Sequence, residues 1–181
     1  MSKVKFASTW MGGCSGCHMS FLDMDEFLID LAEKVEVVYS PVVDPKIYPA
    51  DVDVAFIEGA IANTDNLELA HKIRKNTKIV VSFGDCAVTA NVTGMRNPLG
   101  GPNIVLDRAY RDARLLRPQI PHDDDIVPDL VERVCPVHNV IKVDLFIPGC
   151  PPSAKRIRKV LEALLAGKPP EMIGQEMLKF G

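Results

Sequence analysis

The amino-acid sequence predicts an α/β fold, a doubly wound parallel sheet in a single domain. Short apolar runs of strand length alternate along the chain with segments of helical periodicity, as in sheets that carry helices on both faces. Glycine follows most of these runs within a few residues and marks the strand exits. A length of 181 residues suits one such domain. We assign residues 1–168 to it and residues 169–181 to a short C-terminal tail.

The first half of the chain supplies three predicted strands and one long predicted helix. Residues 3–8 alternate polar and apolar side chains, which indicates a strand, and a glycine-rich loop follows. Polar residues recur at helical spacing from residue 18 to residue 34, which predicts a single helix over this segment. Residues 36–39 and 52–57 are the second and third predicted strands. The third is almost entirely apolar, as expected of a parallel strand buried on both faces.

The second half repeats this alternation. Residues 66–75 are predicted to be helical and lead into an apolar strand at 78–83. A last strand is predicted at 142–147, and Ser153 is a suitable N-cap for a helix that reaches about residue 166. With right-handed connections, this order most simply gives a flavodoxin-like sheet whose strand exits share one rim.

One long segment departs from the alternation. Residues 93–128 are broken up by glycine and proline around a short helix predicted near residues 107–116. Long irregular segments inside compact domains usually have a functional role. We therefore expect this segment to have a functional or partner-binding role.

The composition excludes several classes of function. Lys and Arg number 21 against 24 Asp and Glu, a net charge of -3 without long blocks of one sign, so neither nucleic acid nor an anionic membrane is an expected partner. No apolar run approaches the roughly 18 residues of a membrane span, and the first residues do not resemble a secretory signal. Five cysteines without a dense disulfide pattern favour a reducing compartment. A cytoplasmic protein with protein partners is expected.

Four of the five cysteines follow predicted strands, in loops that contain glycine or proline. They are Cys14, Cys17, Cys86 and Cys150. Ligands of open α/β sheets collect at the carboxyl ends of the strands, so loops distant in the sequence can bring these thiolates together there. Four thiolates are the ligand set of a cubane iron–sulfur cluster. We therefore expect one 4Fe–4S cluster bound by these residues.

The pair Cys14 and Cys17, taken alone, is also consistent with dithiol redox exchange or zinc binding. Either alternative would leave Cys86 and Cys150 without a role, so the cluster is the favoured interpretation. The remaining cysteine, Cys135, precedes a predicted strand and should lie away from the rim. We assign Cys135 to packing, because free cysteine is among the most buried residue types.

Two further residues at the predicted rim are candidates for a role in the site. His18 directly follows the cysteine pair, and we favour a hydrogen bond from it to a cluster sulfur over direct ligation or helix capping. Glu58 ends a buried strand, where an unpaired carboxylate would be costly. The alternatives for Glu58 are proton transfer or cluster contact on one side and a structural salt bridge on the other.

Two charged segments of the sequence are not assigned to a functional site. Residues 122–125, a histidine followed by three aspartates, suggest a metal site but fit a solvated turn that starts a helix better. A basic helix face is expected to be solvated, with docking of an acidic partner as the second interpretation. Its residues are Lys155, Arg156, Arg158 and Lys159.

With these motifs the chain resembles the small subunit of nickel–iron hydrogenases, in particular the short form found in cytoplasmic NAD-reducing enzymes. The resemblance spans about residues 3–166. Its anchors are Gly13-Cys14-Ser15-Gly16-Cys17-His18-Met19-Ser20, Ile57-Glu58-Gly59, Gly84-Asp85-Cys86-Ala87 and Val143-Asp144 through Ile147-Pro148-Gly149-Cys150-Pro151-Pro152.

The resemblance implies a function in a multi-subunit enzyme. Cys14, Cys17, Cys86 and Cys150 would hold the proximal 4Fe–4S cluster, and the Ni–Fe centre would belong to a large subunit. Electrons from hydrogen would pass to diaphorase subunits that carry FMN and NAD, so the complex reduces NAD⁺ and this chain alone is inactive. Long small subunits continue into a domain with further clusters, and the shorter chain is expected to hold one.

Two rival interpretations remain. The cluster-bearing subunit of respiratory complex I shares the exit loop around Cys150, but its first motif has adjacent cysteines, whereas Ser15 and Gly16 separate them here. A stand-alone electron carrier or flavodoxin-like FMN binder is less consistent, because the first loop lacks a hydroxyl-rich phosphate cradle. FMN on this chain is left open without support from the sequence.

Overall fold

Strands and helices alternate around a central parallel sheet. The computed structural model describes residues 3–112 and 116–180. The strands are β1 Val4–Trp10, β2 Val35–Tyr39, β3 Val52–Glu58, β4 Ile61–Asn63, β5 Thr77–Phe83, β6 Leu130–Cys135 and β7 Leu145–Ile147. The helices are α1 Gly16–Leu22, α2 Phe27–Lys34, α3 Thr64–Asn76, α4 Asp85–Thr89, α5 Asn91–Gly94, α6 Pro102–Tyr110, α7 Ala154–Leu165 and α8 Gln175–Leu178.

The central sheet confirms the predicted flavodoxin-like topology. Its strands are all parallel and lie in the order β2-β1-β3-β5-β7. When only the five strands of this sheet are numbered, their order is 2-1-3-4-5. The order in which successive strands are added to the sheet therefore reverses beside β1. The carboxyl ends of β1, β3, β5 and β7 consequently share one rim.

Each face of the sheet has its own apolar core, because successive side chains of a strand point to opposite faces. Phe6 and Phe56 belong to the core beneath α1, α2 and α7, whereas their neighbours Ala7 and Ile57 belong to the core beneath α3. All four side chains are buried. The nearly continuous apolar sequence of β3 thus serves both cores at once.

The single helix predicted over residues 18–34 is two helices, which corrects the sequence-based prediction. Residues 23–26 form tight turns between α1 and α2, and Asp25 adopts a φ of 49°. Apolar side chains surround this segment and cannot all face the sheet from one straight helix. Met24, in the turn, and Phe27, at the start of α2, are both buried in the core beneath α1, α2 and α7.

The last strand is shorter than predicted. Residues 142–144 are outside β7, and the side chain of Asp144 takes over part of the strand pairing by accepting the N–H of Val80 at 2.9 Å. The backbone N–H of Asp144 donates to the Val80 carbonyl, also at 2.9 Å. The helix after this strand begins as predicted, with the Ser153 hydroxyl accepting the N–H of Arg156.

A small antiparallel sheet, formed by β4 and β6, was not predicted. Cys135 pairs with Ile61 and ends β6, so it does not simply precede a strand, but its half-buried side chain packs against a core as expected. The segment expected to be irregular is fastened to this sheet: Asn97 exchanges two hydrogen bonds of 2.8 Å with the Val134 backbone. The helix expected near 107–116 lies at Pro102–Tyr110, and positions 113–115 of that prediction lie outside the described residues.

Candidate functional site

The rim at the carboxyl ends of the strands carries the four predicted thiols. Cys14 and Cys17 follow β1, Cys86 lies in the first turn of α4 directly after β5, and Cys150 follows β7. Cys17 is buried, Cys86 is partly buried, and Cys14 and Cys150 are exposed. All four are free thiols. Three separate loops therefore bring four cysteines to one edge of the sheet. Two of these cysteines, Cys14 and Cys150, are exposed.

Electrostatic interactions show that these thiols lie close to one another. Burial raises the pKa of Cys17, and negative charge on Glu58, Cys86, Cys14 and Cys150 raises it further. Burial likewise raises the pKa of Cys86, and Cys150 and Cys14 add to the effect. Charge effects of this kind weaken with distance, so the four sulfurs form one group. Four thiolates in one place repel each other and are stabilised by cations.

Gly84 allows the turn around Cys86 to approach Cys17 closely. Its φ is +82°, and a Cβ added at this position would lie 2.1 Å from the Cys17 sulfur. No side chain fits at that distance. The glycine that follows β5 is therefore needed both for its backbone conformation and for the space that it leaves beside a thiol.

The loop that carries Cys150 is tied to the turn that carries Cys86. The N–H of Gly149 donates to Oδ1 of Asp85 at 2.6 Å, and the N–H of Asp85 donates to the carbonyl of Gly149 at 2.9 Å. Nδ2 of Asn91 lies 3.4 Å from the Cys150 sulfur, as a hydrogen-bond donor. These contacts fix the position of an exposed thiol that the edge strand β7 alone would hold loosely.

Glu58 is paired with the cysteine loop that follows β1. Its carboxylate, on a residue only 2% exposed, accepts the N–H of Cys17 at 3.2 Å and that of His18 at 3.0 Å. It also contacts Nδ1 of the His18 ring. These contacts are compatible with a structural role of Glu58, while its role in proton transfer or cluster contact stays a prediction. The favoured contact of His18 with a cluster sulfur stays a prediction, and it would involve Nε2 because Nδ1 contacts Glu58.

The other residues considered from the sequence lie outside this group. Cys135 is in the small antiparallel sheet. The carboxylate of Asp123 accepts the N–H groups of Asp125 and Ile126 in an exposed turn, and this turn leads into β6 and not into the predicted helix. Within residues 3–112 and 116–180, no three His, Cys, Asp or Glu side chains are arranged to hold a single metal ion. A cubane differs from a single ion in this respect, because it spreads its four protein ligands over four iron atoms.

Three further residues contribute to the site, namely Asp85, Asn91 and Arg156. Neither Asp85 nor Asn91 was selected from the sequence, and Arg156 was placed on the wrong side of its helix. Asp85 follows a buried strand, which is the same signal that singled out Glu58. Arg156 was expected on a solvated helix face but is buried behind the Cys150 loop. The remainder of that face is exposed: Lys155 and Lys159 pair with Glu176.

An apolar cavity of about 440 Å³ lies beside the site, between the first two strands and their helices. Trp10, Met19 and Leu22 are among the residues that line it. The polar or titratable lining residues, among those that the structure describes, are Ser8, His18 and Ser40. The described lining contains no Lys or Arg that could pair with a flavin phosphate. FMN on this chain stays an untested alternative.

Across the described residues, none of the helices has the combination of length and apolarity that crossing a bilayer requires.

The fold and the grouped thiols define a class of α/β proteins in which strand-exit loops of a flavodoxin-like sheet build a cysteine site. A family model described as NADH ubiquinone oxidoreductase, 20 Kd subunit, matches residues 14–164. The chain belongs to this family.

Relatives within the family include components of hydrogenases. The NAD-reducing hydrogenase HoxS subunit delta of Cupriavidus necator is 38% identical over 170 residues, which cover 92% of this chain and 81% of the relative. A component of the F420-non-reducing hydrogenase of Methanothermobacter marburgensis is 40% identical over 176 residues, or 94% of this chain. The chain spans only 56% of the length of that second relative.

A solved structure of an NAD⁺-reducing NiFe-hydrogenase in the H2-reduced state matches the whole fold. The TM-score is 0.93 at 35% sequence identity, and the match covers 99% of this chain and 100% of the other. The resemblance to small subunits of NAD-reducing NiFe hydrogenases, inferred from the cysteine motifs, is thereby confirmed.

Proposed function

We propose that this chain is the electron-transfer subunit of a NiFe hydrogenase and that Cys14, Cys17, Cys86 and Cys150 bind one 4Fe–4S cluster. In this proposal the cluster is the proximal one, adjacent to a Ni–Fe site in a large subunit. The complex also contains diaphorase subunits with FMN and NAD, and it couples oxidation of hydrogen to reduction of NAD⁺. The chain alone has no such activity.

The observation that carries the proposal is the meeting of the three cysteine loops at one rim. The position of Gly84, two residues before Cys86, leaves no space for a side chain beside the Cys17 sulfur, and Asp85 is hydrogen-bonded to Gly149 beside Cys150. The charge effects among the four thiols agree with this grouping. Thiolate ligands must lose their protons, and iron supplies the positive charge that makes this favourable. Bound there, a cubane would supply one-electron transfer between partner subunits. One relative of the chain is named an iron-sulfur subunit, which supports the same type of cofactor.

The surrounding residues are suited to holding such a group rigidly. Glu58 fixes the backbone of Cys17 and His18, and Asp85 fixes that of Gly149. Asn91 donates to the sulfur of Cys150, and hydrogen bonds to sulfur are among the features that set the potential of a cluster. Protein surroundings that do not rearrange when an electron arrives keep the reorganisation energy of electron transfer low.

The proposed assembly with a large subunit and a diaphorase rests on the names of the relatives. HoxS delta is a subunit of an NAD-reducing hydrogenase, and the matching solved structure is of an NAD⁺-reducing NiFe-hydrogenase. Exposed apolar side chains beside the cysteine loops offer a surface for the large subunit. They are Trp10, Met19, Leu22, Val92 and Met95.

Analysis of the anaerobically purified chain tests the cofactor. We expect about four iron atoms and four acid-labile sulfides per chain, and an electron paramagnetic resonance signal after reduction. Purification together with its natural partners should yield hydrogen-dependent NAD⁺ reduction. Zinc in place of iron, or a chain without metal after anaerobic reconstitution, would refute the proposal.

The alternative is a cluster-bearing subunit of a complex I-like quinone oxidoreductase, which the description of the matched family model favours. The co-purifying large chain separates the two. A partner that contains nickel supports the hydrogenase, whereas a nickel-free partner and hydrogen-independent quinone reduction support the alternative.

A further inference from the structure

Arg156 lies on the inner side of α7 and has unusually many hydrogen-bond partners. The residue is 6% exposed although its neighbours Lys155 and Arg158 face solvent. Its guanidinium group donates to three backbone carbonyls, those of Pro148, Glu176 and Lys179. A buried guanidinium is costly unless its donors are satisfied, so these contacts define its position sharply.

These carbonyls belong to two different parts of the chain. Pro148 begins the loop that contains Cys150. Glu176 and Lys179, whose carbonyl oxygens lie 2.7 and 2.9 Å from Arg156 nitrogens, belong to the C-terminal segment, residues 169–180. The same segment inserts Met177 into the core beneath α7. One side chain therefore ties the C-terminal segment to a cysteine loop.

The charge of Arg156 is also directed at the site. Burial lowers the pKa of Arg156, and the charges of Asp85 and Glu176 act in the opposite direction. Asp85 holds Gly149 through its side chain and directly precedes Cys86. The guanidinium thus lies within electrostatic reach of the connection between two of the cysteine loops.

We infer that Arg156 is a positioning residue for the Cys150 loop and that the C-terminal segment is a working part of the cysteine site. The segment predicted to be a mere tail supplies two of the carbonyls that orient Arg156, and Arg156 in turn orients Pro148 and the loop after it. This inference deepens the proposed function and rests on it only where it concerns the cluster.

Two substitutions on the same helix form the test. Arg156→Met keeps an apolar stem and removes the donors and the charge. Arg158→Met makes the same change at an exposed residue that pairs with Glu162 and covers Phe27. In amide hydrogen exchange by mass spectrometry, we expect the peptide 146–152 to exchange about tenfold faster in Arg156→Met, as for loss of one or two hydrogen bonds. The peptide should be unchanged in Arg158→Met.

A third variant separates charge from positioning. Arg156→Lys keeps the positive charge but cannot reach three carbonyls at once. In anaerobically purified protein, we expect the reduction potential of the cluster to fall in Arg156→Met, because a nearby positive charge favours the more negative reduced state. The reduction potential should stay near the wild-type value in Arg156→Lys. In this variant we expect peptide 146–152 to exchange at a rate between those of the wild type and Arg156→Met. A chain that ends at residue 173, with Arg156 intact, should show the faster loop exchange as well.

Equal exchange of peptide 146–152 in Arg156→Met and Arg158→Met, or an unaffected loop in the shortened chain, overturns the inference. Hydrogen exchange does not require a cluster. A wild-type chain without iron therefore contradicts the proposed function, while the comparison of loop exchange still decides the role of Arg156.

Discussion

The carboxylate of Glu58 accepts the backbone N–H of His18 at 3.0 Å and contacts Nδ1 of the same residue. This double contact joins the end of β3 to the first turn of α1. It satisfies backbone and ring donors together at the point where the chain leaves the loop of Cys14 and Cys17. Because the carboxylate is buried, the contact stabilises the loop more than an exposed pair would.

Replacing Glu58 with glutamine should loosen this loop. One carboxylate oxygen becomes an NH2 group that cannot accept the N–H of Cys17 or His18, so a buried donor is left unsatisfied. We expect a loss of about 1–3 kcal/mol in the free energy of unfolding, measured by chemical denaturation. The same change at Glu162, which pairs with exposed Arg158, should cost less than about 1 kcal/mol. Equal costs would mean that the buried contact contributes nothing specific.

Replacing Gly84 with alanine should disrupt the site. Its backbone conformation, φ 82° and ψ 163°, is one that other residues avoid, and the new methyl group would collide with the Cys17 sulfur. We expect a loss of about 3 kcal/mol or more in thermal or chemical unfolding, and a lower iron content. Gly167 also has a positive φ but open space around it, so alanine there should cost only about 1 kcal/mol. Similar losses at both positions would contradict the close approach.

Removal of single thiols should distinguish Cys150 from Cys135. Cys150→Ser is expected to reduce the iron and sulfide content severalfold and to abolish hydrogen-dependent NAD⁺ reduction by the assembled complex, because a proposed ligand is lost. Cys135→Ser should leave both nearly intact, since Cys135 packs in the small sheet. Both are measured by metal analysis and hydrogen-dependent assay. An equal effect of the two changes would refute the ligand assignment.

Asp144 should make stability depend on pH in the acid range. Burial opposes its ionisation, but the N–H of Val80 and the guanidinium of Arg74 outweigh burial and hold the pKa of Asp144 below its ordinary value. Stability from this group is therefore present above about pH 4 and is lost as pH falls through the lowered pKa. Asp144→Asn should cost about 1–2 kcal/mol at pH 7.

The difference between wild type and Asp144→Asn should shrink as the pH is lowered from about 5 to 2, in denaturation curves at fixed ionic strength. Asp124→Asn is the control, because the side chain of Asp124 is 92% exposed. It should leave the pH profile unchanged. A constant difference between wild type and Asp144→Asn at every pH would rule out the ion pair as the cause.

The sequence predicted the sheet because its strands are local signals. The apolar runs of β3 and β5 and the glycines after them are visible within a few residues, and the order of strands then follows from chain connectivity. The four cysteines at one rim follow from the same rule. What could not be predicted were contacts between distant segments, such as Glu58 with His18 or Arg156 with the C-terminal segment.

The errors also have local physical causes. The pattern of residues 18–34 is compatible with one helix, but its apolar side chains surround the segment and cannot all face the sheet from a straight helix, and the chain turns at residues 23–26. Arg156 occurs among other basic residues, so its charge suggests a solvated face. Its burial depends on hydrogen bonds to distant carbonyl groups, such as that of Lys179, more than 20 residues later in the chain. The antiparallel pair of β4 and β6 likewise joins segments too short and too distant to recognise.

Because Cys150 lies beyond β7, an edge strand that pairs with β5, the sulfur set is complete only when β7 has joined the sheet. A nascent polypeptide that has emerged as far as α4 presents three of the thiols without the fourth. Loading of the proposed inorganic core must then follow synthesis and folding, and a truncated translation product would expose reactive sulfur instead of holding iron.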